Sequence, residues 1–270
     1  MKSRGFTLVE LVMVIVITGV IAASLVVFLK PAIDSYFDTR RRADLTDMAD
    51  TALRRMSQDI RSAVPNSVRS VSATCFQLVP TIAGGRYRMA PDTFTAGSAY
   101  IDTSTSTSSF DVLSPISTVP AAGDWIVINN QNSGDVYSGT NRGQISAAPS
   151  VPGSSDGLHR ISIASTQFPV GYDGGRFVVV PDAQKTLLYS CVGNTLYRKV
   201  TADFTQADAT ACAAATDGAV VATDVANCTF VYDPNQGATQ QSGFVWMRLE
   251  LSRDNESVAL AHGVHVDNAP

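Results

Sequence analysis

Residues 1–30 read MKSRGFTLVELVMVIVITGVIAASLVVFLK, and the fold turns on how this stretch is read. Lys2, Arg4 and Gly5 come first, and Phe6 then opens an apolar run broken only by Glu10. From Leu11 to Leu29 there is no charged residue. A helix of that length, rising about 1.5 Å per residue, can cross the roughly 30 Å hydrocarbon core of a bilayer. The carboxylate is the unexpected part. An acid inside a spanning helix costs about 2.5–3.5 kcal/mol near the centre and less at the interface, so Glu10 is a functional candidate. An ordinary secretory signal cut near Ala22, Ala23 and Ser24 is the plainer reading, and it leaves Glu10 without a role.

The string GFTLVELV (residues 5–12) resembles the class III signal of type IV pilins and type II secretion pseudopilins. The resemblance implies that a prepilin peptidase cuts after Gly5 and methylates the new N-terminal Phe6. It also implies a role for Glu10, which would offset the positive amine of a neighbouring subunit's Phe6. The expected division is a leader over residues 1–5 and a transmembrane, filament-core half-helix over 6–30. An amphipathic half-helix packed on the globular domain follows over 31–64, then a periplasmic β-rich domain over 65–270. Orientation by charge alone points the other way, because Lys30 and Arg40–Arg42 outnumber Lys2 and Arg4. The resemblance implies a cytoplasmic leader and a periplasmic C-terminal domain.

The helix is expected to run on past Lys30. Ile33, Tyr36, Phe37, Leu45, Met48, Ala49, Ala52, Leu53, Met56 and Ile60 recur mostly at steps of three and four. That spacing makes one apolar stripe, read as a core face rather than a coiled-coil seam. Arg40, Arg42, Asp47, Asp50, Arg54, Asp59 and Arg61 lie on the other side, and Pro65 ends the pattern. Pro31 should kink the helix or loosen its preceding turn. The triple Arg40–Arg42 reads as a solvated patch at the membrane surface, with binding of anionic headgroups as the alternative.

From residue 70 the pattern becomes β. Strands are expected at 75–80, 111–113, 124–129, 159–164, 176–180, 220–225, 228–232, 244–251 and 257–265, with a hairpin of 187–191 and 195–200 about Gly193-Asn194. Alternation in MRLEL puts Met247, Leu249 and Leu251 on one face. Residues 82–89 read as a loop or turn because of Gly84-Gly85. Residues 98–109, 130–143, 147–157 and 201–218 read as loops. The fold class is therefore α+β: a type IV pilin fold with a long N-terminal helix on an antiparallel sheet domain, extra strands and long loops.

Four cysteines, Cys75, Cys191, Cys212 and Cys228, all follow the apolar segment, which suits disulfides in an oxidising compartment. Of the three possible pairings, the expected one joins Cys212 to Cys228 across a short loop and Cys75 to Cys191 between distant strands. A net charge of −4 argues against a nucleic-acid partner. His262 and His265, three apart on a strand, point to opposite faces and cannot share a metal locally. Asp156-Gly157, Asp173-Gly174 and Asp233–Asn235 read as turns rather than calcium loops. No nucleophile, P-loop or zinc motif is present, so no catalytic residue, metal, cofactor or small-molecule substrate is expected.

Scattered segments (63–69, 123–125, 189–198, 228–234 and 265–270) are similar to O-type minor pilins of the mannose-sensitive haemagglutinin (MSHA) type IV pilus system. The larger J-type minor pseudopilins of type II secretion are related. The resemblance implies a non-enzymatic subunit of the inner membrane and then of a cell-surface pilus. Its partners would be the prepilin peptidase and other minor and major pilins met through the N-terminal helix. Its size suggests a tip or priming complex that initiates assembly, with a J-type pseudopilin or a glycan-binding tip adhesin as alternatives.

Overall fold

A computed structural model describes residue 5 and residues 7–94, 96–153, 156–171, 174–234 and 242–267. Phe6, the leader residues 1–4, Asp173, Asn235 and the terminal residues 268–270 lie outside the described residues. One helix, α1 (Leu8–Arg61), runs for 54 residues, about 80 Å at the standard rise. It stays helical through Pro31. Its buried residues are Leu45, Ala49, Ala52, Leu53, Met56, Ser57 and Ile60. The apolar stripe is therefore used only from Leu45 onward: Ile33, Tyr36 and Phe37, aligned with it by spacing, remain exposed.

The buried stripe packs on a three-stranded antiparallel sheet of β12 (Val225–Asp233), β13 (Ser242–Arg253) and β14 (Glu256–Asp267). Met247, Leu249 and Leu251 all point inward and are fully buried, as their alternation requires. Asp254 and Asn255, both at positive φ, make the tight turn between β13 and β14. A five-stranded sheet closes the same core, in the order β1 (Arg69–Ser72), β2 (Cys75–Leu78), β9 (Thr186–Val192), β10 (Thr195–Thr201) and β11 (Ala219–Ala222). Phe76, Leu78, Leu187, Tyr189 and Leu196 carry its contribution. The β9–β10 hairpin turns at Gly193-Asn194, where Gly193 sits at φ 60°.

Between β2 and β9 the chain builds a second layer with its own core. A four-stranded sheet has the order β3 (Ala83–Arg86), β8 (Arg176–Val180), β5 (Trp125–Val127) and β6 (Arg142–Gln144). A two-stranded sheet of β4 (Thr107–Val112) and β7 (His159–Thr166) faces it across Phe110, Ile126, Ile161 and Phe177. The class is α+β and matches the type IV pilin fold, with extra strands in this insertion.

Several expected loops are ordered differently. Gly84-Gly85 lies inside β3, not in a turn. A Cβ at Gly85 would come within 3.0 Å of the Phe177 ring and of Ser114 Oγ, so glycine there marks a close approach. Residues 130–143 hold a short helix, α2 (Asp135–Ser138), whose Val136 and Tyr137 are buried. Tyr137 donates to the Ser67 carbonyl at 2.8 Å, and Asn130 donates to the Pro65 carbonyl at 2.6 Å, pinning the stretch to the end of α1. Residues 98–109 run into β4, and residues 201–218 contain α3 (Ala209–Ala213).

The disulfide pairing also differs from the expected one. Cys75 joins Cys212, and Cys191 joins Cys228. Register gives the reason. Cys75 lies directly opposite Ser190, so Cys191, one residue on, points to the other face of the sheet. Cys75 packs with Leu188 and Ala215 outside the main core, beside Cys212. Cys191 faces the main core, where Cys228 sits. One bridge thus fastens α3 to the outside of the five-stranded sheet, and the other ties that sheet to the three-stranded one.

Candidate functional site at the helix N-terminus

The helix begins with a capping box. Thr7, in extended conformation at φ −79° and ψ 148°, accepts from the Glu10 backbone N–H through Oγ1 at 3.3 Å. Glu10 Oε2 accepts in return from the Thr7 backbone N–H at 3.2 Å and from Thr7 Oγ1 at 3.2 Å. Two of the otherwise unpartnered donors of the first turn are satisfied this way. The acid also meets the positive end of the helix dipole. Thr-x-x-Glu ahead of an apolar run is a sequence signature of this cap, and the reading from sequence passed over it. Glu10 therefore has a local structural task whatever else it does. Both bonds use Oε2, and Oε1 has no partner among the described residues. Gly5, just outside the helix, has nothing within 4 Å of where a Cβ would stand. Phe6, expected to carry the methylated amine and the charge pair, is outside the described residues, so the structure does not place it against Glu10.

Beyond the cap, every described residue from Thr7 to Phe37 is exposed within the chain. The helix is long and apolar enough to cross a membrane. Thr18 and Ser24 turn their hydroxyls onto the backbone carbonyls of Val14 and Val20, at 2.5 Å and 2.8 Å. Over residues 11–29 the helix therefore presents apolar atoms outward, with its two hydroxyl side chains bonded back to the backbone.

Charges then fix the helix to the domain. Arg41 pairs with Asp38 at 3.0 Å and with Asp254 at 3.4 Å, and Arg42 pairs with Glu256. Two of the three arginines read as a solvated patch are thus clamped to the β13–β14 turn. Deeper in, Asp59 Oδ2 accepts from Tyr189 Oη at 2.7 Å and from Arg198 Nε at 2.8 Å, tying the last turns of α1 to β9 and β10. Burial, reinforced by the Asp59 carboxylate, pushes the Tyr189 hydroxyl well above the usual tyrosine range, so it stays a donor. Among the described residues no group of three or more His, Cys, Asp or Glu side chains is gathered to hold a metal ion.

Comparison with the curated proteins and with the solved structures returns no match. Residues 1–26 match the family model described as the prokaryotic N-terminal methylation motif. This motif is the class III signal of type IV pilin-like proteins, pseudopilins included. It implies processing by a prepilin peptidase and assembly with other pilins, and it indicates a structural subunit rather than an enzyme. The motif and the bare apolar helix together point to a membrane-anchored, single-pass protein with a type IV pilin-like N-terminal signal.

Proposed function

We propose that the chain is a minor pilin of an MSHA-like type IV pilus, used in a tip or priming complex that starts filament assembly. The observation that supports this most is the methylation motif on a half-helix that packs on nothing within its own chain. The peptidase would remove residues 1–5 and methylate Phe6. The first half of α1 would wait in the inner membrane, with residues 65–270 in the periplasm, until the subunit enters a filament. There Glu10 would keep its cap through one oxygen and turn the other to a neighbour's Phe6 amine. A pair of opposite charges is far stronger in that low-dielectric setting than in water, and breaking it would leave a buried charge uncompensated. Length supports a rare position: the second layer between β2 and β9 would crowd a repetitive shaft.

A glycan-binding tip adhesin would make its contacts through the loops 130–143 and 147–157, and the first of these is held by buried Val136, Tyr137, Asn130 and Asn141. The J-type pseudopilin remains the rival. Purifying the tagged chain from cells that carry both a pilus and a secretion system, and identifying its companions, separates the two. Pilus minor subunits are the expected companions, and secretion pseudopilins in their place would overturn the pilus assignment. A Glu10→Leu chain should fold its domain and stay out of filaments. Normal uptake of that variant would refute the charge-pair role.

A further inference from the structure

The four-stranded sheet of the second layer has two faces, and they are covered unequally. One face packs on β4 and β7. On the other, β5, β8 and β3 present Val127, Val178 and Gly84 in one row, because these residues are direct register partners. Val64, Val136 and Phe204 cover the β5 end of this face. Toward β3 the cover stops, and Gly84 supplies no side chain. What remains is a cavity of about 400 Å³, open to solvent, with Val64 on its wall. That volume lies within the ~300–1,000 Å³ of ordinary small-molecule sites.

At the rim stand Arg86 and Arg176. Each lies two residues from the row on its own strand, so both share its face, and they are themselves register partners. Like charges directly opposite across a ladder destabilise a sheet. Among the described residues neither guanidinium has a carboxylate or any other partner. This happens in a chain whose net charge is negative. Two unpaired planar forks at the mouth of an apolar cavity are a receptor for a compact anion.

We propose that this cavity binds a small amphipathic anion: an apolar, ring-sized body lying over Gly84, Val127 and Val178, with a carboxylate, sulfonate or phosphate held between Arg86 and Arg176. The site lies in the second layer, at the opposite end of α1 from the capping box, and does not depend on the pilin reading.

Calorimetry on the full chain in lipid nanodiscs tests it, with empty nanodiscs subtracted. The probes are naphthalenesulfonate and the uncharged naphthalenesulfonamide, which has nearly the same shape. The expected result is one saturable site for the sulfonate, with the sulfonamide at least ~10-fold weaker because it cannot use the charge-assisted bonds. Arg86→Gln with Arg176→Gln should bring the sulfonate down to the sulfonamide's affinity, and Gly84→Leu should remove both. No saturable binding of the sulfonate, or equal affinity for both probes on the wild-type chain, would overturn the proposal without recourse to any variant. Unchanged sulfonate binding by the double arginine variant would overturn it as well.

Discussion

The two halves of α1 carry the same kinds of side chain to different ends. Leu11, Ile15, Val20 and Leu25 are each more than half exposed, while Leu45, Met56 and Ile60 are fully buried. No break in the helix separates them. The difference is one of pattern. The first half is apolar on every side, so no single face can be satisfied by one domain. The second half confines its apolar residues to one stripe and can be. The β13–β14 turn marks the boundary, where Asp254 and Glu256 grip Arg41 and Arg42. A helix that is bare on every side above such a clamp is built for a solvent or partner that the chain does not itself supply.

The contrast can be broken first at its base, in the domain that holds the second half. Removing Cys75–Cys212, with a sequence separation of 137, should destabilise the domain by about 5 kcal/mol on the chain-entropy account. Removing Cys191–Cys228, with a separation of 37, should cost about 4 kcal/mol. Denaturation of the full chain in nanodiscs, followed by tryptophan fluorescence, reads both. The direct comparison within α1 comes next. Met56→Ala should cost about 2–5 kcal/mol in the same assay, while Ile15→Ala should leave domain unfolding within about 0.5 kcal/mol of wild type. Equal effects would show that the first half also packs on the domain.

Smaller effects sharpen the boundary. Asp59→Asn weakens the acceptor shared by Tyr189 and Arg198, and should cost about 1–3 kcal/mol. Smallest is a pH effect at the turn end of the β13–β14 hairpin. The Arg253 guanidinium, bonded to Asp224 at 2.5 Å, holds that carboxyl below the usual aspartate range. A depressed folded value means stability that is fully present above the unfolded value, near ~3.9, and lost as pH falls through the folded one. Asp224→Asn should therefore lower stability slightly at neutral pH and flatten its decline below about pH 4, as read by acid titration of domain unfolding.

Much of this comparison was legible in residue order. The charge-free run after Glu10, the three-four stripe and Pro65 outline α1, and alternation in residues 247–251 placed one face of β13 inward. What stayed hidden depends on partners distant in sequence. Cysteine pairing followed from Cys75 standing opposite Ser190, a register no local pattern displays. Gly84-Gly85 reads as a turn until Phe177 and Val178, far along the chain, lie against it. Residues 130–143 look like free loop because Asn130 and Asn141 are polar, yet both are buried in bonds to Pro65 and to each other. At the candidate site the miss was of another kind. Thr7-x-x-Glu10 was readable as a cap, but the acid's cost in hydrocarbon drew attention to an outside partner instead.

The central claim is that the bare half of α1 is a processed pilin-type N-terminus, and the intact mass of the chain purified from its own cells tests it most directly. The account predicts loss of residues 1–5 and one added methyl group on Phe6. A chain that keeps its first five residues, or one cut near Ala22–Ser24 so that the apolar half is gone, would contradict it.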